Sequence, residues 1–468
     1  MRSLKSSTPA AWMAIAAVEA ALGTYLLLSG HHLDLFSITV LGLLPIVAYF
    51  LIQLPFVFPY GLYAFLIPFG SLLNVANLGT VGRLLGALSG GVLIFYALRK
   101  KRFVNPPFAL ALWALYILWG AAALMWSVDP GQSFVGVGQL LQLFLLYAIV
   151  AVAPTTRSDL RAVLGAAILG GVVAGAYGAW MFYHQSNSAV AQVQTQLNRV
   201  LLESGGNYVD PNQFADSLLL PAIALTCLFL RETRRFLKIA WVWAFTFVLA
   251  GIFFSGSREA LVAYLVALVF IGAVSQYRRQ ILIIGGWALA ASALMPMIWL
   301  RFGLAINTGG AGRISIWHTG LKAAAPYWWF GDGLNNFVKA YDAVYLNVFQ
   351  PYGAGWSRAP HNIIIQNLVE LGIVGVILLV VALVAQYRML SYIKPTDSLY
   401  DYRVMLQATL VALIVASLFI DLLLYKYIWL LFALMAQVRA VRLAERGGCE
   451  VAIPAVPIVA TRPLLALR

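Results

Sequence analysis

Two arginines beside apolar segments are the first candidates for chemistry in this sequence. Arg258 follows the serine-rich turn of FFSGSREALVAYL, and Arg313 opens the segment GRISIW. A guanidinium group stays charged and binds phosphate through two parallel hydrogen bonds, so both residues are candidates for holding a pyrophosphate at a membrane surface. The alternative for Arg258 is a side chain that snorkels to the interface or pairs with the adjacent Glu259.

A histidine in the segment APHNIIIQNLVELGIVG is the candidate base. The positive end of the following helix and the nearby Arg358 both disfavour an imidazolium at His361, which leaves a neutral imidazole able to deprotonate a hydroxyl at pH 7. Asn362, Gln366 and Glu370 follow at a spacing of four residues and form a polar stripe on an apolar helix. That stripe must face protein or water. A single histidine is more often structural than catalytic, so the base is a hypothesis.

Four further residues are candidate substrate contacts: Asn212, His318, Arg358 and Trp328. Asn212, in the segment DPNQFA, precedes a predicted helix and equally well caps it. Trp328 lies in a run of aromatic residues that either stacks on sugars or belongs to an interfacial aromatic belt. The context of His318 is weaker, and a structural role competes there with a substrate contact.

Several common catalytic motifs are missing. The sequence has no P-loop, no dinucleotide fingerprint, no HExxH and no Asp-x-Asp pair outside the apolar segments. The acidic residues in the segments that carry the candidate site are scattered along the sequence and form no pair suited to a divalent metal ion. We therefore expect no cofactor and no metal, and we expect arginine to neutralise the charge of the substrate.

The composition defines the class of protein that positions these residues. Of 468 residues, 62% are hydrophobic and only 10% are charged, and the mean hydropathy is +0.86. Soluble proteins carry about 25% charged residues. The apolar runs are continuous over about 20 residues, as spanning helices require and as β-barrel strands do not. The sequence predicts an all-α, polytopic integral membrane protein with 12–14 transmembrane helices and a large helical periplasmic loop.

The net charge of +14 is a topology signal. With the N-terminus inside, the basic clusters all fall on the cytoplasmic side, as the positive-inside rule requires. These clusters are Arg99-Lys100-Lys101-Arg102, Arg157/Arg161, Arg231/Arg234/Arg235/Lys238, Arg278/Arg279, Arg388/Lys394/Arg403 and Arg439/Arg442/Arg446. Both termini are then cytoplasmic, the candidate site faces the other side, and we expect no nucleic-acid partner.

The chain divides into five predicted regions. They are N-terminal transmembrane helices (1–106), a core transmembrane region with a periplasmic loop at 185–212 (107–299), a large periplasmic loop (300–361), C-terminal transmembrane helices (362–440) and a cytoplasmic tail (441–468). Spans are predicted near 10–29, 35–53, 55–75, 81–98, 107–126, 133–153, 161–184, 213–230, 238–254, 259–276, 281–299, 363–386, 403–421 and 422–440. Because long loops without secondary structure are uncommon, we expect helices at about 313–325 and 334–345 in the large loop.

An ordered set of segments resembles the O-antigen ligase/polymerase superfamily. The segments are LWALYILWGAAALMWSVDP (112–130), NYVDPNQFADSLLLP (207–221), FSGSREALVAYL (254–265), GRISIWHTGLKAAAPYWWFGDGLNNF (312–337) and PHNIIIQNLVELGIVG (360–375). The resemblance implies a metal-independent, inverting glycosyltransferase that takes a glycan from undecaprenyl pyrophosphate at the periplasmic face of a bacterial inner membrane. O-antigen ligases pass the glycan to a sugar hydroxyl of lipid A–core, the related polymerases pass it to another carrier-linked repeat unit, and other members glycosylate protein hydroxyls.

The resemblance also implies roles for individual residues. His361 would take the proton of the acceptor hydroxyl, and Arg258 and Arg313 would hold the departing pyrophosphate. The expected partners are the undecaprenyl-pyrophosphate-linked glycan donor, a lipid A–core acceptor and membrane lipids. We prefer the ligase and keep the polymerase as the alternative, since nothing in the chain names the acceptor.

Two other classes of function remain as alternatives. A transporter or flippase would favour polar or broken helices near the bilayer midplane, often in repeated halves, whereas the polar residues here cluster at the external rim and no repeat is visible. A purely structural membrane protein does not account for the arginine and histidine set. Asp421 and Lys426 lie in apolar surroundings and either pair or mark a short turn between the last two spans.

Overall fold

A computed structural model describes residues 49–51, 53–70, 72–75, 79–184, 199–200, 202–204, 207–293, 303, 310, 312–349, 355–447 and 450–452. The helices bounded within these ranges are α1 (Tyr60–Leu66), α2 (Val81–Lys100), α3 (Phe108–Ala122), α4 (Pro130–Val152), α5 (Arg157–Tyr183), α6 (Pro211–Ser217), α7 (Leu219–Arg231), α8 (Arg235–Ser255), α9 (Arg258–Val274), α10 (Arg278–Ala293), α11 (Arg313–Ala324), α12 (Phe337–Tyr345), α13 (Ile363–Arg388), α14 (Tyr400–Ser417) and α15 (Lys426–Glu445). Short antiparallel strand pairs join β1 (Asn74–Val75) to β2 (Gly79–Thr80), β3 (Arg102–Val104) to β6 (Glu450–Ala452) and β4 (Leu202–Ser204) to β5 (Asn207–Val209).

The described residues contain eight helices that are long and apolar enough to cross a membrane. They are Val81–Lys100, Phe108–Met125, Pro130–Val152, Arg157–Tyr183, Pro211–Arg231, Arg235–Ser255, Ile363–Arg388 and Lys426–Glu445. The prediction of an all-α, multi-pass membrane protein is thereby confirmed. The count of 12–14 spans stays a prediction, because the predicted span near 10–29 and most of the one near 35–53 lie outside the described residues.

The segment predicted to span the membrane near 55–75 forms a shorter element. α1 continues into a 3₁₀ turn, and together they cover only Tyr60–Phe69, or about 15 Å at 1.5 Å per residue. The hydrocarbon core is about twice as thick. Pro55 and Pro59 precede the helix and Gly70 ends it with a φ of 46°, so apolar composition alone overstated its length.

The basic clusters lie on one side of the molecule, as the alternation of the helices requires. Ion pairs join the loops on that side: Arg157–Glu445, Arg231–Asp401 and Arg442–Asp397. We call it the basic side, and the opposite side, which carries the ends of α5, α8 and α14 and the starts of α6, α9, α13 and α15, the site side. Which of the two faces the cytoplasm stays a prediction from the positive-inside rule.

The centre of the bundle is formed by α7 and α15, whose faces are buried almost all round. Aromatic side chains from α3, α4 and α15 fill its middle, with ring centroids 5.1 Å apart for Trp113 and Phe432 and 6.0 Å apart for Tyr147 and Trp429. Tilted and edge-on aromatic pairs of this kind stabilise a core beyond the area that they bury. The resulting rigid bundle holds the loops of the site side in place.

The segment between α11 and α12 is fixed to the bundle through a break in α13. Gly372 has a φ of 66° and a ψ of −171°, which interrupts the helix. The peptide N–H of Ile373 donates to the carbonyl oxygen of Trp328 at 2.9 Å, and the N–H of Asp332 donates to that of Val369 at 3.0 Å. The loop between α11 and α12 therefore supplies the partners that the broken helix lacks. Both helices predicted in this region, at about 313–325 and 334–345, are present as α11 and α12.

Candidate functional site

The turn between α8 and α9 presents Arg258 on the site side. Gly256 ends α8 in the left-handed conformation, with a φ of 63°, and the Ser257 hydroxyl caps α9 by accepting from the N–H of Ala260 at 3.3 Å. Both residues belong to the sequence Ser-Gly-Ser, whose small side chains suit a sharp turn. Arg258 is the first residue of α9 and is half-buried.

Arg313 is held by a buried carboxylate and an aromatic ring. Its Nη2 lies 3.4 Å from Oε1 of Glu259, and the exposed fractions of the two side chains are 15% and 4%. The guanidinium carbon lies 5.7 Å from the centre of the Phe419 ring. Arg313 begins α11, where the helix dipole disfavours a cation, so these two contacts offset an unfavourable position. Glu259, offered by the sequence as a partner for Arg258, thus pairs with Arg313, and its charge also acts on Arg258.

A third arginine, Arg199, adjoins the other two and was missed in the sequence. It is 93% buried, its Nε donates to the carbonyl oxygen of Ser255 at 2.7 Å, and its Nη2 donates to Oδ1 of Asn212. Arg199 lies on the side of the membrane where the positive-inside rule makes basic residues rare, and that position is a sequence signal for a functional role. It was overlooked because it ends a long polar stretch that reads as an ordinary loop.

The charges of these groups act on one another. Burial lowers the pKa of Arg199, and the positive charges of Arg258 and Arg313 lower it further. Asp210 and Glu259 raise it. Three guanidinium groups thus share one neighbourhood with Asp210 and Glu259, an arrangement suited to binding an anion. We call Arg199, Arg258 and Arg313 the arginine cluster.

His361 occupies a constrained position directly before α13. Its φ is 48°, a conformation that costs a residue with a side chain about 1–3 kcal/mol and that occurs often at functional sites. The indole N–H of Trp317 donates to the carbonyl oxygen of Pro360 at 3.0 Å, and Asn362 caps α13 by accepting from the N–H of Ile364 at 2.9 Å. The residues on both sides of the histidine are therefore anchored, and its ring is partly buried.

The surroundings of His361 favour a neutral imidazole. Burial is the largest cause of the lowered pKa of His361, and the charges of Arg313 and Arg358 lower it further. Asp210 and Glu259 act in the opposite direction. Because an unperturbed histidine has a pKa of about 6.5, a lowered value leaves the ring uncharged and able to accept a proton at pH 7. Arg313, one member of the arginine cluster, thus acts on His361 electrostatically.

Of the other predicted substrate contacts, some lie near the arginine cluster and His361 and one does not. Asn212 contacts the arginine cluster, because its Oδ1 accepts a hydrogen bond from Arg199. It does not cap α6: the cap is Asp210, whose Oδ1 accepts from the N–H of Asn212 at 2.8 Å. Arg358 is exposed and acts on His361 through its charge. His318 is exposed and follows Arg313 by five residues, about 140° around α11, so it points away from the cluster.

Trp328 belongs to a partly exposed aromatic surface. It is 44% exposed, and Trp329 and Phe330 are more exposed still. Its carbonyl oxygen is the group that holds the break in α13, and the neighbouring Phe330 ring packs on Trp119 with centroids 5.8 Å apart. A backbone role for Trp328 is therefore visible, and stacking on a sugar stays a prediction.

The polar stripe on α13 faces protein. Gln366 donates to Oε1 of Glu370 at 3.2 Å, and both side chains are buried. The N–H of Phe337 also approaches Oε1 of Glu370, at 3.4 Å. The stripe thus ties α12 to α13 beneath His361. Among the described residues, no group of three or more histidine, cysteine or acidic side chains is placed to hold a metal ion.

Comparison with known families bears on this part of the chain. Residues 243–380 match the family model described as O-Antigen ligase, and this range contains Arg258, Arg313 and His361. The resemblance to the O-antigen ligase superfamily is thereby confirmed for that segment. The match supports a function of the O-antigen ligase or polymerase type, acting on lipid-linked glycans in a multi-pass membrane protein. No curated protein matches the chain.

Proposed function

We propose that this chain, whose residues 243–380 carry the O-antigen ligase family domain, transfers a glycan from undecaprenyl pyrophosphate to a sugar hydroxyl of lipid A–core. The observation that carries the proposal is an arginine cluster, held by Asn212 and the buried Glu259, together with His361, whose pKa is lowered by burial and by Arg313 of that cluster. Such a site offers an anion-binding surface next to a neutral base. Both are needed to transfer a glycosyl group from a diphosphate to a hydroxyl.

The proposed reaction is a single displacement with inversion. The acceptor oxygen attacks the anomeric carbon of the donor sugar while His361 takes the hydroxyl proton. The bond between the anomeric carbon and the phosphate oxygen breaks, and its electron pair leaves with the pyrophosphate. Arg258 and Arg313 stabilise the negative charge that develops on that oxygen. We add Arg199 as a third contributor, because its buried charge is coupled to both.

Glu259 has a positioning role in this proposal. Its carboxylate lies 3.4 Å from Arg313 and is almost completely buried, so it fixes the direction of the guanidinium group before the donor arrives. Pre-organised charges stabilise a transition state without reorganising during the reaction. The pair also balances a buried cation when the site is empty.

A groove beside the site supports a donor that arrives on a lipid. A cavity of about 440 Å³ lies between α2 and α4 and is lined mostly by apolar and glycine residues. At its site-side end, Lys426 Nζ donates to the Thr80 hydroxyl at 3.1 Å, and Arg83 lies nearby. The neighbouring Tyr425 hydroxyl accepts from Gln213, next to Asn212. The groove therefore leads a polyprenyl chain toward the arginine cluster with two cations at its head.

The site side would face the periplasm of a bacterial inner membrane. The basic clusters on the opposite side support this orientation by the positive-inside rule. The polymerase alternative uses the same chemistry with a second carrier-linked unit as acceptor, and a transporter would move the lipid-linked glycan without breaking the sugar–phosphate bond.

Reconstituted transfer distinguishes these functions. Purified protein is given an undecaprenyl-pyrophosphate glycan with delipidated lipid A–core in one reaction and without it in another. We expect core glycosylation in the first reaction only, and we expect Arg258→Ala and Arg313→Ala to abolish it, whereas His184→Ala, an exposed histidine stacked on Trp180, should retain it.

Two results would contradict the proposal in different ways. Extension of one carrier-linked glycan by another in the absence of lipid A–core would mean that the protein is a polymerase and not a ligase. Normal transfer by both arginine variants would remove the arginine cluster from the mechanism.

A further inference from the structure

A second groove lies on the basic side, away from the arginine cluster. It is a cavity of about 510 Å³ between α5, α7, α8 and α14. Its walls are mostly apolar and include Leu164, Ile168, Leu169 and Trp241. Gly165 also lines it, and a Cβ built at that glycine meets no atom within 4 Å. We call this cavity the basic-side groove.

The length of the groove matches one leaflet of a bilayer. Its lining positions on α5 run from Arg161 to Val172, eleven residues apart. At 1.5 Å per residue this is about 16 Å. Half of a hydrocarbon core is about 15 Å. An extended acyl chain of the leaflet on that side therefore fits along α5 from the membrane surface to the middle of the bilayer.

The mouth of the groove carries an excess of positive charge. Arg161 and Arg231 line its end at the membrane surface, together with Asp401. Arg231 and Asp401 form an ion pair. Within the ranges that the structure describes, Arg161 has no carboxylate partner, and it is exposed. One guanidinium charge thus remains for a phosphate group placed at the height of lipid headgroups.

From this geometry we propose that the basic-side groove binds an anionic phospholipid of the leaflet on the basic side. One acyl chain lies along α5 beside Gly165, and the headgroup phosphate accepts hydrogen bonds from Arg161. The proposal is independent of the glycosyl transfer, because none of its residues belongs to the arginine cluster or to the groove between α2 and α4.

Such a lipid would brace the helices that carry the site. At the site-side end of the bundle, α6, which precedes α7, carries Asn212, and α8 ends at Ser255. Arg199 donates hydrogen bonds to Oδ1 of Asn212 and to the carbonyl oxygen of Ser255. We therefore expect the bound lipid to raise the Tm of the whole protein. By holding α5, α7 and α8 together, it should also preserve the geometry of the arginine cluster at their other ends.

The test compares phospholipids that differ only in the headgroup. Full-length protein in mild detergent is titrated with phosphatidylglycerol or with phosphatidylcholine of the same acyl chains, and thermal unfolding and native mass spectrometry are recorded. We expect phosphatidylglycerol to remain bound and to raise the Tm more than phosphatidylcholine does. Arg161→Gln should remove the difference between the two lipids while leaving the protein folded, because the residue is exposed.

A second variant tests the acyl chain. Gly165→Leu places a side chain in the open space of the groove and should abolish the response to both lipids. Gly138→Leu is the matched control, since Gly138 also lies in a spanning helix with no atom within 4 Å of a built Cβ but does not line this groove. Equal Tm shifts for both lipids in the wild type, or an unchanged preference in Arg161→Gln, would overturn the proposal, and neither result depends on whether Gly165→Leu folds.

Discussion

Replacing Glu259 with glutamine tests whether the buried carboxylate holds Arg313 in place. The change keeps the shape of the side chain and removes its charge. In the wild type, Arg313 Nη2 lies 3.4 Å from Oε1 of Glu259, with only 4% of the glutamate side chain exposed. The variant leaves Arg313 partly buried without its partner, next to two other guanidinium groups that repel it.

The expected loss of stability follows from the distance and the burial. At 3.4 Å and an effective dielectric constant of about 20, the gross attraction is about 5 kcal/mol, which is offset by the cost of desolvating both groups. Breaking buried ion pairs by removing one partner typically costs about 3–5 kcal/mol. Because glutamine can still accept a hydrogen bond, we expect a loss of about 3 kcal/mol.

Thermal unfolding of the purified protein measures this loss, with and without undecaprenyl pyrophosphate. We expect Glu259→Gln to lower the Tm, and we expect the pyrophosphate to raise the Tm of this variant more than that of the wild type, because it replaces the missing negative charge. The exposed pair Arg157–Glu445 provides the control, with side-chain exposures of 37% and 31%. Glu445→Gln should cost no more than about 1 kcal/mol and should respond to pyrophosphate as the wild type does.

The reasoning would be refuted if Glu259→Gln unfolded at the wild-type temperature and bound pyrophosphate no differently. That result would mean that Arg313 is oriented by contacts other than Glu259. A loss of stability that pyrophosphate does not restore would keep the ion pair as a structural element and remove it from the donor site.

Three further predictions follow from individual residues. Burial and neighbouring arginines lower the pKa of His361, so the transfer rate should decline only below about pH 6.5, the pKa of an unperturbed histidine. Arg358→Gln removes one of the charges that lower this pKa. The acidic limb of the rate profile should therefore move to higher pH in that variant. Arg199→Gln should raise the KM for the donor and lower kcat, because a buried cation of the arginine cluster is lost. Unchanged values of KM and kcat would confine Arg199 to a structural role. Gly372→Ala should destabilise the protein by several kcal/mol, because a Cβ at this position would lie 2.3 Å from the backbone of Trp329 and because the φ of 66° disfavours a side chain. Circular dichroism during heating measures the change, and an unaltered Tm would contradict the close approach.

The helices were predictable because their signal is long and strongly apolar. Bounds such as Arg235–Ser255 and Ile363–Arg388 differ by only a few residues from those predicted, since each helix ends where charged or turn-forming residues begin. The failure near 55–75 has a local cause. Apolar residues between prolines satisfy a hydropathy average, but the prolines remove the hydrogen bonds that a continuous helix needs.

The contacts between distant segments were not predictable from spacing. Glu259 reads as a partner for its neighbour Arg258, and the folded chain also brings Arg313 to it from 54 residues away. Asp421 and Lys426 have separate hydrogen-bond partners. Asp421 accepts from the N–H of Leu423 and marks a turn, while Lys426 donates to the Thr80 hydroxyl. Such pairings depend on tertiary structure that a single sequence does not contain.

The central claim is that His361 is the base of a glycosyl transfer, and one measurement tests it most directly. Purified wild-type protein and His361→Ala are given an undecaprenyl-pyrophosphate glycan and delipidated lipid A–core in the presence of EDTA, and the glycosylated core is quantified. We predict that transfer persists in EDTA for the wild type and is lost in His361→Ala, with donor binding retained because the arginine cluster is intact. Transfer by the variant at the wild-type rate would contradict the account.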